Sequence, residues 1–231
     1  MDKEHYSRSI SLDGFGEDGQ RKLLNSKVLV VGAGGLGSPT LIYLASTGVG
    51  HITIIDSDII NISNLPRQVL YGMDDIGEKK VEVAKEKLES LNKDIKVNAI
   101  FARLDETNAI DIIKGHDIVI DCSDNYTTKL LVNDTCLKLD IPFVIAGVSQ
   151  YDGQVTTCIP HKSKDFRSLF IDKPDDEKII RSVFPPAIAV VANIATSEAI
   201  KYLIGSKDLL LNKLLKIDLL TNCFSLIELP D

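Results

Sequence analysis

The chain has 231 residues, of which 44% are hydrophobic and 26% are charged. This composition is typical of a folded globular protein and excludes a largely disordered or collagen-like chain. The length fits one large domain, or one domain with an appendage. Because the formal net charge is −7, a basic nucleic-acid-binding surface is not expected, and neither is a nucleic-acid partner.

Cysteine spacing and the N-terminal residues bear on metals and location. The cysteines Cys122, Cys136, Cys158 and Cys223 form no Cys-x-x-Cys pair, and structural zinc sites usually contain such pairs, so zinc is not expected. After Met1 the chain continues Asp-Lys-Glu-His, which is not the pattern of a secretory signal. No apolar run reaches about ten residues, so no membrane-spanning helix is expected. We therefore predict a cytoplasmic protein.

The N-terminal third predicts a strand, a glycine turn, a helix and a second strand. Residues 1–26 are expected to form a helical arm. The segment Lys-Val-Leu-Val-Val from Lys27 is β-branched and continuous, which is typical of a buried parallel strand. A glycine-rich turn follows, then apolar residues at helical spacing over residues 38–47. Residues 51–56 predict the second strand.

The same alternation of strands and helices continues to residue 160. Helices are predicted at 78–91, 108–113 and 127–139, and strands at 95–100, 117–121, 142–146 and 153–159. This order predicts an α/β fold with a doubly wound, Rossmann-like, mostly parallel sheet.

The pattern changes after Pro160. Residues 161–181 are polar with little periodicity, a composition typical of a functional loop. A helix is predicted at 187–203 and two antiparallel strands within 214–229. We therefore expect a single domain over residues 1–231, with a nucleotide-binding core at 27–160, a crossover loop at 161–184, and a C-terminal helix and strands at 185–231.

The glycine turn predicts a nucleotide site. Gly32, Gly34 and Gly37 match the pattern G-x-G-x-x-G between a strand and a helix. In that setting the glycines allow a tight turn, close approach of a phosphate and close helix packing, and the free N–H groups at the helix start favour an anion. Asp56, at the end of the second strand, could accept hydrogen bonds from ribose hydroxyls. The alternative is a turn that serves only packing, with Asp56 capping a loop.

Further polar residues follow the predicted strands and would converge on one crevice. Two cations, Arg67 and Lys80, and the carboxylate of Asp124 suit a triphosphate with Mg²⁺. Each residue has another explanation. Arg67 could be an exposed loop cation, Lys80 a solvated residue in a charged helix, and Asp124 the cap of the helix near Thr127.

The order of these motifs resembles the ThiF/MoeB/HesA family, bacterial relatives of ubiquitin-activating enzymes. The resemblance extends from about Tyr6 to the C-terminal strands. The motifs are Tyr6-Ser7-Arg8, the glycine turn at 32–37, Asp56-Ser57-Asp58, Asn64-Leu65-Pro66-Arg67-Gln68, Gly77-x-x-Lys80 and Asp121-Cys122-Ser123-Asp124-Asn125. The resemblance implies ATP-dependent adenylation of the C-terminal glycine of a small ubiquitin-like sulfur carrier ending in Gly-Gly, of the molybdopterin or thiamine type, with release of pyrophosphate.

The resemblance also implies roles for individual residues. Arg67, Lys80 and Asp124 would be catalytic together with Arg8, which would reach the active site of the other subunit of a homodimer. Asp124 would also hold Mg²⁺. The residues implied to contact the nucleotide are Gly32, Gly34, Gly35, Gly37, Asp56, Asp58, Asn64, Arg67, Lys80, Asp124 and Asn125. A terminal carboxylate has a pKa of about 3.5 and is ionised at neutral pH, so this reaction needs no general base.

The sequence departs from the family's fuller pattern at two places. Many members carry two Cys-x-x-Cys pairs for zinc, and Asp165 and Ser168 stand where the first pair is expected. Some members carry a cysteine for sulfur transfer near the position of Lys178, whereas this chain has no cysteine in residues 175–182. Adenylation without sulfur transfer is therefore expected. The loop at 161–181 would cross over the carrier's tail and become ordered on binding.

Other functions stay open at the level of sequence. The enzyme could adenylate a different carboxylate, such as a peptide C-terminus or a modified tRNA, although the charge of −7 argues against the tRNA. A catalytically silent nucleotide-binding subunit is a second possibility. Such a subunit would be expected to lack the phosphate-binding cations, but Arg67, Lys80 and Asp124 are all present. The glycine turn alone would also fit a nicotinamide oxidoreductase.

Overall fold

One mixed sheet organises the residues that the computed structural model describes, 2–169 and 182–229. Its strands are β1 (Lys27–Val31), β2 (His51–Asp56), β3 (Lys96–Phe101), β4 (Ile118–Asp121), β5 (Phe143–Ser149), β6 (Asp152–Cys158), β7 (Lys213–Asp218) and β8 (Cys223–Glu228). In the described part of the chain they form one eight-stranded sheet in the order β3-β2-β1-β4-β5-β6-β7-β8. The strands from β3 to β5 pair in parallel, and those from β5 to β8 pair antiparallel.

Helices cover both faces of the sheet. They are α1 (Ser7–Ile10), α2 (Gly16–Asn25), α3 (Gly37–Ser46), α4 (Lys80–Leu91), α5 (Ala109–Ile113), α6 (Tyr126–Leu139), α7 (Phe166–Leu169) and α8 (Pro185–Ile204). One core cluster joins Val28 and Ile54 of the sheet to α3, α4 and α8, and the other joins Leu29 and Val119 to α5 and α6. Alternate strand residues thus face opposite cores. The predicted doubly wound, mostly parallel sheet with an antiparallel C-terminal extension is confirmed.

The change of pairing has a local cause in the connection between β5 and β6. Only Gln150 and Tyr151 separate these strands, and Gln150 takes a positive φ of 53°. Two residues can join antiparallel strands but not parallel ones, which need a crossover of a dozen residues or more. The order reverses between β1 and β4, because β2 follows β1 on one side and β4 lies on the other. A crevice is expected at that point, beyond the carboxyl ends of the strands.

The crossover loop begins with more structure than its composition predicts. Within it, α7 forms one helical turn, and Phe166 is only 1% exposed. The Phe166 ring lies 5.6 Å from the Tyr126 ring, and its backbone N–H donates to Asn133 Oδ1 at 2.8 Å. One aromatic residue thus anchors a polar segment that shows no periodicity. Residues 170–181 of the loop, among them Lys178, lie outside the described residues.

Helix α8 is more apolar along its length than its uninterrupted apolar runs indicate. Its 20 residues are long and apolar enough to cross a membrane by length and composition alone. In the fold it packs against α3, β5 and β6, and its residues Val191, Ala192 and Ala195 are fully buried in the core cluster. It starts on Pro185 and ends at Gly205, whose φ is 87°, as expected for a helix that stops at glycine.

Candidate functional site

A cleft of about 670 Å³ opens at the carboxyl ends of the parallel strands, where the strand order reverses. Its volume lies in the range of small-molecule sites. Of the twelve residues to which the resemblance assigns a nucleotide or catalytic role, ten line it. They are Gly32, Gly34, Gly35, Asp56, Asp58, Asn64, Arg67, Lys80, Asp124 and Asn125. Gly37 and Arg8 are not among the lining residues.

The glycine turn between β1 and α3 is built as its pattern predicts. Gly32 has a φ of 96°, and a Cβ there would lie 3.0 Å from the Cys122 carbonyl oxygen. A Cβ on Gly37 would collide with the Gly32 carbonyl, so Gly37 allows close packing of the helix start. Gly34 is different, because the nearest atom to a Cβ there is Gln68 Nε2 at 3.6 Å. Gly34 therefore leaves the cleft side of the turn open.

The same turn presents unpaired backbone donors. Within residues 2–169 and 182–229, the N–H groups of Gly34, Gly35 and Leu36 have no hydrogen-bond partner. They precede the ten-residue helix α3, where the helix dipole adds positive potential. A helix start of this kind binds anions such as phosphate.

Asp56 ties the turn to the end of β2. Its Oδ2 accepts a hydrogen bond from the Ala33 N–H at 2.7 Å, and its Oδ1 accepts one from the Asp58 N–H at 2.7 Å. Burial raises the pKa of Asp56, while the Ala33 N–H and the charge of Lys80 act against that rise. The loop-capping alternative is thus correct for these two bonds. It does not exclude a ligand, since an ionised carboxylate has about four acceptor sites.

Tyr71 supports the turn from the other side and was not recognised in the sequence. It is buried, and its hydroxyl donates to the Ala33 carbonyl oxygen at 2.8 Å. Burial raises the pKa of the Tyr71 hydroxyl, so the group stays a neutral donor. Ala33 is thereby held through both its N–H and its C=O, which fixes the turn before any ligand binds.

Two cations line the β2 side of the cleft. The Lys80 side chain is 4% exposed, and its Nζ lies 2.8 Å from Oδ2 of Asp58, whose side chain is 66% exposed. The alternative that Lys80 is solvated is therefore wrong. Arg67 is half-buried and donates from Nη1 to the Ser63 carbonyl at 2.8 Å. The Asn64 side chain accepts a hydrogen bond from the Asn61 N–H at 3.0 Å, so the turn Ile62–Asn64 is stabilised by one of its own side chains.

The β4 side carries Asp124 and Asn125. Asn125 caps α6, because its side chain accepts a hydrogen bond from the Thr128 N–H at 2.9 Å. The alternative that Asp124 is the cap is therefore wrong, and Asp124 remains exposed at the cleft. Across the ranges that the structure describes, no three His, Cys, Asp or Glu side chains cluster as metal ligands. One carboxylate suits Mg²⁺ only where phosphate oxygens complete the ligand set.

Lys129 is a buried cation that the motifs did not indicate. Its Nζ donates to the Ala146 carbonyl at 2.8 Å and lies 3.5 Å from Asp121 Oδ2. The other oxygen of Asp121 accepts from the N–H and the hydroxyl of Ser123, at 2.9 and 2.6 Å. A signal was present in the sequence. Lys129 precedes the buried residues Val132 and Cys136 by three and seven positions, which places it on the apolar face of α6.

Cys122 borders the cleft but is not a nucleophile. Its thiol lies 3.8 Å from Thr40 Oγ1, and burial raises its pKa to about 12. A thiol with such a pKa is almost entirely protonated at neutral pH and is unreactive. Cys122 is a buried packing residue of the core.

Arg8 lies in a different part of the molecule. It is exposed on α1, next to the buried Tyr6. The Tyr6 hydroxyl bonds Asn92 Oδ1 at 3.3 Å, and Asn92 Nδ2 donates to the Ala45 carbonyl at 2.7 Å. Asn92 and Ala45 lie at the C-terminal ends of α4 and α3, whereas the cleft lies at the N-terminal end of α3. Arg8 therefore does not line the cleft of its own chain.

Fold and cleft together define a nucleotide-binding α/β protein, and comparison with known proteins gives the family. The ThiF family model matches residues 6–231, so the chain belongs to the ThiF family. The SAMP-activating enzyme E1 of Haloferax volcanii is 38% identical over 225 residues, covering 96% of this chain and 83% of the relative. The sulfur carrier protein adenylyltransferase of Thermus thermophilus is 39% identical over 231 residues, covering 96% and 85%.

Solved structures agree with this assignment. The ATP complex of E. coli MccB has a TM-score of 0.87 at 26% identity and covers 97% of this chain and 70% of that one. A complex of MccB with AMPCPP and MccA has a TM-score of 0.86 at 26% identity, covering 99% and 72%. The predicted family, fold and enzyme class are confirmed: the chain is an adenylyltransferase, an enzyme that transfers AMP from ATP.

Proposed function

We propose that this chain adenylates the C-terminal glycine of a small ubiquitin-like sulfur carrier ending in Gly-Gly. ATP is consumed and pyrophosphate is released. The observation that carries the proposal is the convergence of the glycine turn, Arg67, Lys80 and Asp124 on one cleft. The name of the Thermus thermophilus relative, a sulfur carrier protein adenylyltransferase, supports a carrier protein as the acceptor of AMP. The carrier would be of the molybdopterin or thiamine type.

The proposed contacts follow the chemistry of the cleft walls. The unpaired N–H groups at Gly34 and Gly35 suit the phosphates of ATP, and Gly32 and Gly37 shape the turn that presents them. The half-buried carboxylate of Asp56 would accept hydrogen bonds from the ribose hydroxyls. The residues proposed to complete the nucleotide site are Asp58, Asn64, Arg67, Lys80, Asp124 and Asn125.

The reaction needs charge neutralisation rather than a base. A carboxylate oxygen of the carrier's terminal glycine attacks the α-phosphorus of ATP. One bond forms between that oxygen and the α-phosphorus, which gives an acyl-adenylate, and the bond from the α-phosphorus to the oxygen that leaves with pyrophosphate breaks. The carboxylate is already ionised, so no proton has to be removed. Its approach to an anionic phosphate is made possible by positive charge from Arg67, Lys80 and a second subunit's copy of Arg8.

Asp124 is the proposed ligand for Mg²⁺, which would neutralise the triphosphate charge when bound. Zinc is not part of the proposal. The contribution of Arg8 requires a homodimer, since Arg8 lies away from the cleft of its own chain. We further propose a cytoplasmic enzyme with the division described above: an arm at 1–26, a nucleotide core at 27–160, a crossover loop at 161–184 and a C-terminal unit at 185–231.

Exchange of labelled pyrophosphate into ATP tests the proposal. The purified chain is incubated with ATP, Mg²⁺ and a panel of ubiquitin-like carriers ending in Gly-Gly, and each carrier is also supplied without its terminal glycine. We expect exchange with at least one intact carrier and none with its truncated form. In the Asp124→Asn variant, we expect exchange to fall by about 10²-fold, whereas Asp111→Asn, an exposed carboxylate on α5, should leave it unchanged. Absence of exchange with every carrier would reject the function.

Adenylation of a different carboxylate is the second candidate. It is favoured by the similarity to MccB, whose structure with AMPCPP also holds MccA, which is not named as a sulfur carrier. Peptides with a free C-terminal carboxylate would then replace the carriers in the same exchange assay. Exchange with a peptide, and with no carrier, would select this candidate.

A further inference from the structure

Gln68 is a buried side chain whose amide is unpaired at the edge of the cleft. It is 3% exposed, and it lines the cleft. Its Oε1 is fully buried without a hydrogen-bond partner. In the part of the chain that the structure describes, its Nε2 has no hydrogen-bond partner either. Most buried polar groups in proteins are paired, and an unpaired one destabilises the fold.

The backbone around Gln68 fixes where this amide lies. The Gln68 N–H donates to the Asn64 carbonyl at 3.0 Å, and its own carbonyl accepts from the Tyr71 N–H at 3.1 Å. The residue therefore sits in a turn that is closed on both sides. Its side chain is placed by this turn rather than by a partner for the amide.

The amide nitrogen lies beside the glycine turn. Nε2 is 3.6 Å from the position that a Cβ on Gly34 would occupy, and it is the nearest atom to that position. Gly34 and Gly35 also present unpaired backbone N–H groups at the start of α3. Gln68 thus adds a side-chain donor to a group of main-chain donors that all suit one anion.

We propose that Gln68 Nε2 donates a hydrogen bond to a phosphate oxygen of the bound nucleotide. Phosphate oxygens are acceptors only, so an unpaired N–H donor is the matching group. Unlike Arg67 and Lys80, Gln68 supplies direction without adding charge, and it selects the position of the phosphate at the Gly34 turn. The proposal rests on the proposed function only in taking ATP as the nucleotide.

Gln20 is a natural control for this proposal. It is also fully buried with an unpaired Oε1. Its Nε2, however, donates to the Thr47 carbonyl at 2.9 Å, near the C-terminal end of α3 and away from the cleft. In the part of the chain that the structure describes, the amide nitrogen of Gln20 thus has a protein partner away from the cleft, and that of Gln68 has none and lies at the cleft.

The test measures nucleotide affinity and free-protein stability in the same variants. Calorimetry with ATP and Mg²⁺ gives the dissociation constant, and thermal unfolding without nucleotide gives the midpoint. For Gln68→Met we expect the affinity for ATP to be lower by about tenfold or more. Its unfolding midpoint should equal or exceed that of the wild type, because the free protein loses no hydrogen bond. Gln68→Glu should weaken ATP binding further, because it places a carboxylate near phosphate. Gln20→Met should lower the midpoint and leave affinity unchanged.

Several results would overturn the proposal. Wild-type affinity for ATP in Gln68→Met would do so. If the midpoint of that variant were also lowered, Gln68 would behave like Gln20, as a purely structural residue. Should Gln68→Met fail to fold, Gln68→Asn decides, because it keeps an amide but shortens its reach, and wild-type affinity in that variant rejects the role. A wild-type chain that binds no ATP would instead reject the proposed function, so the two failures are distinguishable.

Discussion

Each side of the cleft holds one buried lysine beside an aspartate, and the two pairs differ in the burial of the acid. On the β2 side, Lys80 is 4% exposed and Asp58 is 66% exposed, with 2.8 Å between Nζ and Oδ2. On the β4 side, Lys129 is 9% exposed and Asp121 is 1% exposed, with 3.5 Å between Nζ and Oδ2.

This difference separates a lysine that is available to a ligand from one that is committed to the fold. If Lys80 turns toward a phosphate, Asp58 stays hydrated, so the exchange of partners costs little. If Lys129 moves away, Asp121 is left as an uncompensated buried carboxylate, which is strongly unfavourable. Lys129 also donates to the Ala146 carbonyl on β5, so it joins α6 to the sheet. We expect Lys80 to serve the reaction and Lys129 to serve the structure.

The largest effect is expected for Lys129→Met. Removing the cation leaves Asp121 buried and unpaired, so the free energy of unfolding should fall by about 3–5 kcal/mol, as measured by denaturant titration. Lys138→Met, at an exposed position of the same helix, should change it by less than about 0.5 kcal/mol. Adding Asp121→Asn to Lys129→Met should recover part of the loss. A loss below about 1 kcal/mol for Lys129→Met would contradict the structural role.

Lys80→Met should act on catalysis instead. Loss of the cation should lower carrier-dependent pyrophosphate exchange by about 10²-fold or more, while the unfolding midpoint changes little because Asp58 is largely exposed. The control is Lys79→Met, one position earlier, where the ammonium lies over the Phe101 ring at 4.6 Å. That variant should retain exchange within about twofold. Equal losses of exchange in Lys80→Met and Lys79→Met would contradict a specific role of the Lys80 cation in the cleft.

Asp58→Asn measures how much the ion pair between Asp58 and Lys80 contributes to stability and to pyrophosphate exchange. Because Asp58 is exposed, losing this ion pair should cost less than about 1 kcal/mol of stability. Exchange activity should fall less than tenfold, because Lys80 stays in the cleft and the lost ion pair contributes only about 1 kcal/mol or less to its position. Asp58 is one of the residues proposed for the nucleotide site, and a loss as large as that of Lys80→Met would mean that it contributes to the reaction as much as the lysine does.

The smallest effect concerns Cys122 on the β4 side. Its pKa is raised to about 12 by burial, and burial also raises the pKa of Cys136 and Cys158. Alkylation of the native protein at neutral pH should therefore modify the exposed Cys223 and spare the other three thiols, with all four reacting after denaturation. Mass spectrometry gives the count. Labelling of Cys122 in the native state would mean that the β4 side opens.

Some parts of the site could be predicted from local sequence alone. Gly32, Gly37 and Asp56 were found because a strand, a tight turn and a helix impose short-range spacing, and the structure uses them in that geometry. Lys129 and Gln68 were missed as site residues. Their importance depends on partners or on the lack of them, and neither is visible in spacing.

Loop structure and helix starts were also harder to predict. The turn at Phe166 depends on a contact with Tyr126, 40 residues earlier in the chain, and such distant packing leaves no periodic signal. The helix predicted from residue 78 starts at Lys80, because the Lys80 N–H bonds the Asp58 carbonyl at 3.1 Å and so fixes the helix start beside the cleft.

What the sequence by itself determined was the alternation of strands and helices, the glycine turn and the family, because each is encoded by short-range spacing and residue type. The −7 charge indicated an acidic protein, yet it could not show that cations are gathered at one cleft. Only the tertiary structure decided that Lys80 is buried, that Lys129 is paired with Asp121 and that the Gln68 amide is unpaired. Burial and pairing depend on segments far apart in the chain, and they set whether a charged or polar group is free to bind a ligand.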